Sequence, residues 1–241
     1  MTSSLPPATR IDEITAGIYR ISTAIPPDVM PGGFTFNQFL VKDDEPLLYH
    51  TGPRKLFPAV RAAVETVLPL EDLRHVAFSH FEADECGALN EFLEVAPNAA
   101  PLCGRIAAMT SIRDVADQAP RVLADGEEVV LGHHTVRWLD APHLPHAWEC
   151  GHLFELSTKT LFCGDLFTQG GHQHEPVTRN DILEPSLAML QAFDYYSHSK
   201  LARPLFDKLI ATRPRVLACM HGASWEGDGA ALLDELAQAI D

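Results

Sequence analysis

The stretch Ser79-His80-Phe81-Glu82-Ala83-Asp84-Glu85-Cys86-Gly87 directly follows the apolar run Val76-Ala77-Phe78. It sets an imidazole and two carboxylates on alternate residues and adds a third carboxylate at Glu85. Residues i, i+2 and i+4 of an extended segment point to one side, so this spacing predicts that His80, Glu82 and Asp84 converge past the end of a strand. Nitrogen and anionic donors gathered with no Lys or Arg among them repel one another unless a cation joins them. Such a cluster reads as a metal site. Taken alone, the same residues also suit a polar loop after a strand.

The grammar recurs along the chain: an apolar strand ends and a ligand-type residue sits just past it. His146 follows residues 138–141, Asp165 follows 161–164, and His221 follows 216–220. Loops at the same ends of neighbouring strands meet in space, and a rigid sheet holds them there. His143 competes with His146, because Pro142-His143-Leu144-Pro145-His146 places both near the site. His172 and His174 lie past Asp165 and read as solvated loop residues, while His133 and His134 form a hairpin turn.

The chain has 241 residues, of which 46% are hydrophobic and 21% charged, as in ordinary globular proteins. That length suits one sizeable domain spanning residues 1–241. A formal charge of −15 repels phosphate backbones and anionic membranes, which argues against a nucleic-acid role. No apolar run reaches the length of a membrane span, and Met1-Thr-Ser-Ser-Leu-Pro-Pro lacks a signal pattern. A cytoplasmic protein is expected. The five cysteines are odd in number and include no C-x-x-C pair, against both a disulfide framework and a thiolate cage. Cys86, Cys163 and Cys219 sit beside candidate ligands and read as small buried wall residues.

Periodicity predicts a strand at 18–22, a hairpin of 36–41 and 46–50, a helix at 56–67 and a buried strand at 75–79. A helix at 87–95, a short strand at 102–103 and a helix at 105–116 follow. The second half repeats the rhythm. Hairpins of 127–131 with 135–140 and of 152–157 with 160–164 precede helices at 187–195 and 201–211, a strand at 216–219 and a helix at 229–240. Hairpins followed by helix–strand units, twice, predict an α/β fold: an αβ/βα sandwich of two mixed sheets with outer helices.

With these residues in view, the chain resembles the metallo-β-lactamase superfamily, whose H-x-H-x-D-H, H, D and H motifs occur in this order. Leu161-Phe162-Cys163-Gly164-Asp165-Leu166-Phe167 resembles its bridging-aspartate strand, and His146-Ala147-Trp148-Glu149-Cys150-Gly151-His152-Leu153 its single-histidine turn. The match runs from Phe36-Asn37-Gln38-Phe39-Leu40 to His221-Gly222. Glu82 in place of the second histidine is the pattern of the flavodiiron proteins and of the oxygen-binding diiron proteins that lack their flavodoxin half. Phe193-Asp194-Tyr195-Tyr196 and Met220-His221-Gly222 resemble that branch as well. The resemblance implies that His80, Glu82, His146 and Asp165 hold a first metal. Asp84, Asp165 and His221 would hold a second, with Asp165 bridging.

Exchanging an imidazole for a carboxylate adds charge and hard oxygen donors, which favours iron over zinc. Two iron ions are therefore expected, with two zinc ions as the alternative. Two departures stand out. The family's final motif histidine is Glu85 here, which can coordinate, hydrogen-bond near the metal or point away. The family's aspartate in the early hairpin is His50, either a partner behind a ligand or a packed core histidine.

Three functions follow. The first is a non-haem diiron protein that binds or reduces O2 or nitric oxide, as a sensor, a scavenger or the catalytic module of a reductase. No Gly-rich phosphate fingerprint is present, so no FMN is expected in this chain, and sustained reduction calls for a separate electron-transfer protein. The second is a binuclear metallohydrolase acting on a small ester, thioester, lactone or phosphoester. The third is a metal-bound module without turnover. A homodimer is compatible with all three.

Overall fold

In the computed structural model, which describes residues 8–240, strand alternation sorts side chains into layers. Residues 1–7 and 241 lie outside the described residues, and with them the amino-terminal heptapeptide discussed above. β1 (Ala8–Thr15), β2 (Ile18–Ile25), β3 (Phe34–Val41), β4 (Leu47–Tyr49), β5 (His75–Ala77), β6 (Ala100–Gly104) and β7 (Arg121–Leu123) lie side by side in that order. They are antiparallel up to β4 and parallel from β4 to β7. β8 (Glu128–Val130), β9 (Thr135–Asp140), β10 (Gly151–Glu155), β11 (Thr160–Gly164), β12 (Val177–Thr178), β13 (Val216–Cys219) and β14 (Ser224–Glu226) form the second sheet. Its spatial order is β12-β14-β13-β11-β10-β9-β8, with β11 parallel to β13.

Between the sheets pack Phe39, Val41, Leu47, Tyr49, Ala77, Leu102, Trp138, Leu153, Phe162 and Ala218. Their strand neighbours Leu40, Leu48, Val76, Phe78 and Cys103 point the other way. There they meet α1 (Phe57–Glu65), α3 (Leu89–Val95) and the helical run from α4 (Arg105–Ala107) through a π turn at Ala108–Ile112 to α5 (Arg113–Val115); the short α2 (Ala83–Cys86) precedes α3. Leu139, Leu161, Cys163, Leu217 and Cys219 likewise face α6 (Leu183–Phe193), α7 (Ala202–Ala211) and α8 (Gly229–Ile240). Buried on both faces, these strands read as near-continuous apolar runs. Each fully buried Leu or Phe contributes about 1.5–3 kcal/mol. The expected sandwich of two mixed sheets with outer helices is the fold observed. All five cysteines are free and buried.

The structure differs from the sequence expectation in places. β1 escapes a period-two reading because its register to β2 shifts between Glu13 and Thr15, so Ile11 and Ile14 are not on alternate residues. The helix expected at 187–195 begins four residues earlier, at Leu183. The Asp181 carboxylate accepts the N–H groups of Leu183 and Glu184, and Pro185 is tolerated in the first turn. No helix among the described residues is long and apolar enough to cross a membrane.

The sheets are pinned at the strand ends remote from His80 by Asp43, whose carboxylate is 3% exposed. It accepts the backbone N–H groups of Asp44 (2.9 Å), His133 (3.0 Å) and His134 (2.6 Å). Gly132 (φ 137°) brings this turn so close that a Cβ would lie 2.2 Å from Asp43 Oδ1. Burial raises the Asp43 pKa, but the N–H groups of His134, His133 and Asp44 outweigh it and lower it to about 2. Asp43→Ala is therefore expected to cost about 1–3 kcal/mol in urea unfolding at pH 7. Because the folded value lies below the ordinary 3.8, this contribution is present above about pH 4 and disappears as pH falls through about 2. Equal stability of the variant and the parent at pH 7 would contradict this role.

Candidate metal centre

β5 ends at Ala77, and Phe78-Ser79-His80 carries the chain to the mouth of the sandwich. Glu82 is still extended (φ −133°, ψ 166°), but at Ala83 the chain turns into α2. This corrects the expectation of three alternate residues on one side. His80 and Glu82 gather with His146 and Asp165, whereas the helical turn swings Asp84 and Glu85 toward His221.

Hydrogen bonds fix the tautomer of every imidazole here. His50 is buried and burial lowers its pKa to about 3, so it is neutral. Its Nε2 accepts the backbone N–H of Ser79 (3.3 Å) and the Ser79 hydroxyl (3.1 Å), and its Nδ1–H points at Met220 Sδ (2.8 Å). With its proton directed to His50, Ser79 Oγ accepts from His80 Nδ1–H at 2.9 Å. His146 Nδ1–H donates to the Tyr195 carbonyl (3.0 Å), and His221 Nδ1–H to the Thr35 carbonyl (2.7 Å). All three rings therefore turn Nε2 toward the cluster.

There the nitrogens meet carboxylates and each other. His80 Nε2 and His146 Nε2 are 3.0 Å apart. Asp165 Oδ2 lies 3.5 Å from His80 Nε2 and 3.2 Å from His146 Nε2, while its Oδ1 faces His221 Nε2 at 3.2 Å. Glu82 approaches both His80 and His146 at 3.7 Å, and Asp84 Oδ2 lies 3.4 Å from His221 Nε2. Burial works against ionisation of Asp165, yet His146 and His221 hold it well below the carboxylate range. Burial also disfavours imidazolium at His221, but Asp165 and Asp84 raise its pKa to about 10. Among the described residues no Lys or Arg pairs with Glu82, Asp84, Glu85 or Asp165. Two nitrogens each about 2.1 Å from one ion and about 90° apart sit about 3.0 Å from each other. The donor set fits metal cations.

The first sheet also braces the last of these residues. Asn37 Nδ2 donates to the carbonyls of Cys219 and Gly222, both at 2.9 Å, and its backbone N–H to that of Met220 at 2.9 Å. Buried Arg20 donates to the Gly222 carbonyl (2.7 Å), and Thr35 Oγ1 accepts the Gly222 N–H (2.7 Å). Gly164 (φ 52°) sits against Ser79, whose side chain a Cβ would approach to 2.9 Å. A cavity of about 630 Å³ opens over the cluster, walled by Met30, Phe34, Met189, Phe193 and Tyr195.

All six candidate ligands thus meet in one place. His50 belongs to the hydrogen-bonded chain behind His80. His143 is exposed, with φ 68°, and lines a separate cavity with His198 and Tyr196. His172 and His174 line another cavity beside Arg20, and His133 and His134 hold the Asp43 turn. Sequence reasoning did not reach Ser79, Thr35, Arg20 or the Tyr195 carbonyl. The one available signal was the polar pair Asn37-Gln38 inside an otherwise apolar strand.

A two-sheet sandwich with a His/Asp/Glu cluster at one end is a metallo-β-lactamase-type arrangement with a candidate metal site. The model of the ODP family beta lactamase matches residues 34–222, most of the chain, and the protein belongs to that family. It is similar to the nitric oxide reductase of Moorella thermoacetica, 24% identical over 215 residues, covering 86% of this chain and 53% of that protein. It is also similar to the anaerobic nitric oxide reductase flavorubredoxin of Vibrio vulnificus, 22% identical over 217 residues, covering 86% of this chain and 43% of the relative. The chain spans about half the length of these relatives. Its fold is that of a flavo di-iron protein variant from Thermotoga maritima, with a TM-score of 0.85 at 16% identity over 98% of this chain and 62% of the other. Rubredoxin oxygen:oxidoreductase from Desulfovibrio gigas gives 0.80 at 20% identity over 96% and 60%.

Ser79→Ala removes the acceptor of His80 Nδ1–H and a donor to His50. Calorimetric titration of the apo-protein is expected to show metal affinity weakened about 10–100-fold at unchanged saturating stoichiometry. An unaltered affinity would refute the relay.

Proposed function

We propose that this chain carries a binuclear non-haem iron centre that binds or reduces O2 or nitric oxide. In this reading His80, Glu82, His146 and Asp165 hold one ion, and Asp84, Asp165 and His221 hold the other. The observation that carries it is Asp165, one oxygen of which faces His80 and His146 while the other faces His221. A carboxylate so placed can serve two ions at once. With Glu82, Asp84 and Asp165 set against three imidazoles, the donors are harder than those of an imidazole-rich zinc site, which favours iron.

A pair of irons supplies two electrons and a Lewis-acidic face for a small diatomic. The protein does the rest. The side chains of Met30, Phe34, Met189 and Phe193 make one wall of the cavity apolar, which suits a small uncharged ligand. Burial pushes the Tyr195 phenol up to about 12, so it keeps its proton and donates it to the Asp165 carbonyl at 3.3 Å. The same residue orients His146 through its own carbonyl. Ser79 and Thr35 hold His80 and His221 in their tautomers, so the donor atoms need no rearrangement when the site loads.

A separate electron donor of rubredoxin or flavin type and a cytoplasmic location complete the proposal. The electron donor is supported by the names of the relatives, a flavorubredoxin and a rubredoxin oxygen:oxidoreductase among them. The hydrolytic alternative is not favoured by these relatives.

Elemental analysis of anaerobically purified protein is expected to find two iron ions per chain, and the reduced protein should consume O2 or nitric oxide. Zinc alone, together with esterase or phosphodiesterase activity, would overturn the proposal. Glu82→Ala should lower iron content sharply. A metal count that does not change would remove Glu82 from the ligand set.

A further inference from the structure

Glu85 is the residue the metal reading leaves unexplained. It is the second acidic residue of α2's first turn, it is fully buried, and neither carboxylate oxygen has a hydrogen-bond partner. Its backbone carbonyl, by contrast, is engaged by the Thr51 N–H at 2.7 Å, which fixes the helical turn that carries it. The side chain points into the cluster. A carboxylate oxygen of Glu85 lies with one of Asp84 and a ring nitrogen of His221 inside a 4.8 Å envelope, and Oε2 is 3.9 Å from His80 Nε2.

A buried carboxylate without a donor is among the costliest arrangements a protein can hold. Only a proton or a cation can relieve it. The proton is the weaker explanation: it would let Glu85 donate to Asp84, but it would leave Asp84 and Asp165 ionised with no Lys or Arg opposing them among the described residues.

We propose that Glu85 is itself a metal-binding carboxylate of the second position, so that the two positions differ in kind. This rests on the binuclear reading above. The first position offers two nitrogens and two carboxylates, from His80, His146, Glu82 and Asp165. The second offers one nitrogen and three carboxylates, from His221, Asp84, Glu85 and Asp165. Carboxylate-rich sites suit manganese(II) and iron, whereas imidazole favours zinc. The second position therefore has the higher ratio of manganese to zinc affinity, and the centre can hold two different metals.

The test uses the apo form of the 241-residue chain titrated with Mn(II) and, separately, Zn(II). Free Mn(II) is read by electron paramagnetic resonance and bound metal by elemental analysis after desalting. The parent should bind two ions. Glu85→Gln keeps the shape, mimics a protonated acid and cannot ligate as a carboxylate. It should retain the first ion and weaken the second by more than the ~10–100-fold that loss of an outer partner costs. Two ions bound with parental affinity in Glu85→Gln would overturn the proposal and leave the binuclear reading intact. Fewer than two ions on the parent would sink both. Glu85→His supplies a nitrogen and should keep two Zn(II) ions while losing Mn(II) affinity at the second position. Circular dichroism of the apo forms establishes folding. If Glu85→Gln does not fold, Glu85→His decides the matter, and parental Mn(II) affinity in that variant overturns the proposal.

Discussion

Four carboxylates face one another at one end of this sandwich, and no Lys or Arg opposes them among the described residues. The two buried ones, Glu85 and Asp165, would each cost several kcal/mol if left uncompensated, in a domain whose net stability is of the order of 5–15 kcal/mol. Folding around that charge is the constraint from which the rest follows. The imidazoles answer it only in part. Each is pinned through Nδ1 to an acceptor behind it, so each presents the one atom that can accept a cation.

Holding such a cluster demands a scaffold that does not yield. Phe39, Trp138 and Phe162 between the sheets, with the helices packed outside, fix the strands. The loops beyond the strand ends are fixed by hydrogen bonds instead of packing. Asn37 is the clearest case: it is wholly buried, its backbone N–H and side-chain amide reach the carbonyls of Cys219, Met220 and Gly222 at the end of β13, and its position decides where His221 stands. Arg20 and Thr35 complete that brace. At the opposite end Asp43 performs the same service between two turns.

The layered fold was legible because buried strands write themselves as apolar runs and hairpin turns as polar breaks, and both survive in residues 36–50 and 135–164. The ligand-type residues were legible because His80, Asp165 and His221 sit one or two steps past such a run and the others a few residues further on. What spacing does not carry is direction. The alternation argument placed His80, Glu82 and Asp84 on one side, but the first turn of α2 begins between the second and third of them, and a helix redirects by 100° per residue where a strand redirects by 180°. The choice of His146 over His143 depended likewise on the backbone of the loop between them. Ser79 and Thr35 were invisible for another reason. A hydroxyl beside a histidine, or a carbonyl in a strand, has no composition or period that marks it. Only the fold brings Thr35 to His221, across 186 positions of sequence.

The division of the cluster between the sheets has a consequence for how the chain is put together. His80, Glu82, Asp84 and Glu85 all belong to the half that ends at β7, and His146, Asp165 and His221 all to the half that begins at β8. A polypeptide severed in the short turn between those strands would give two fragments, each with its own sheet and helices and each with an incomplete set of donors. A bound cation would then act as a clasp between halves, gripping only when both are present and correctly docked, so metal retention would report a finished assembly.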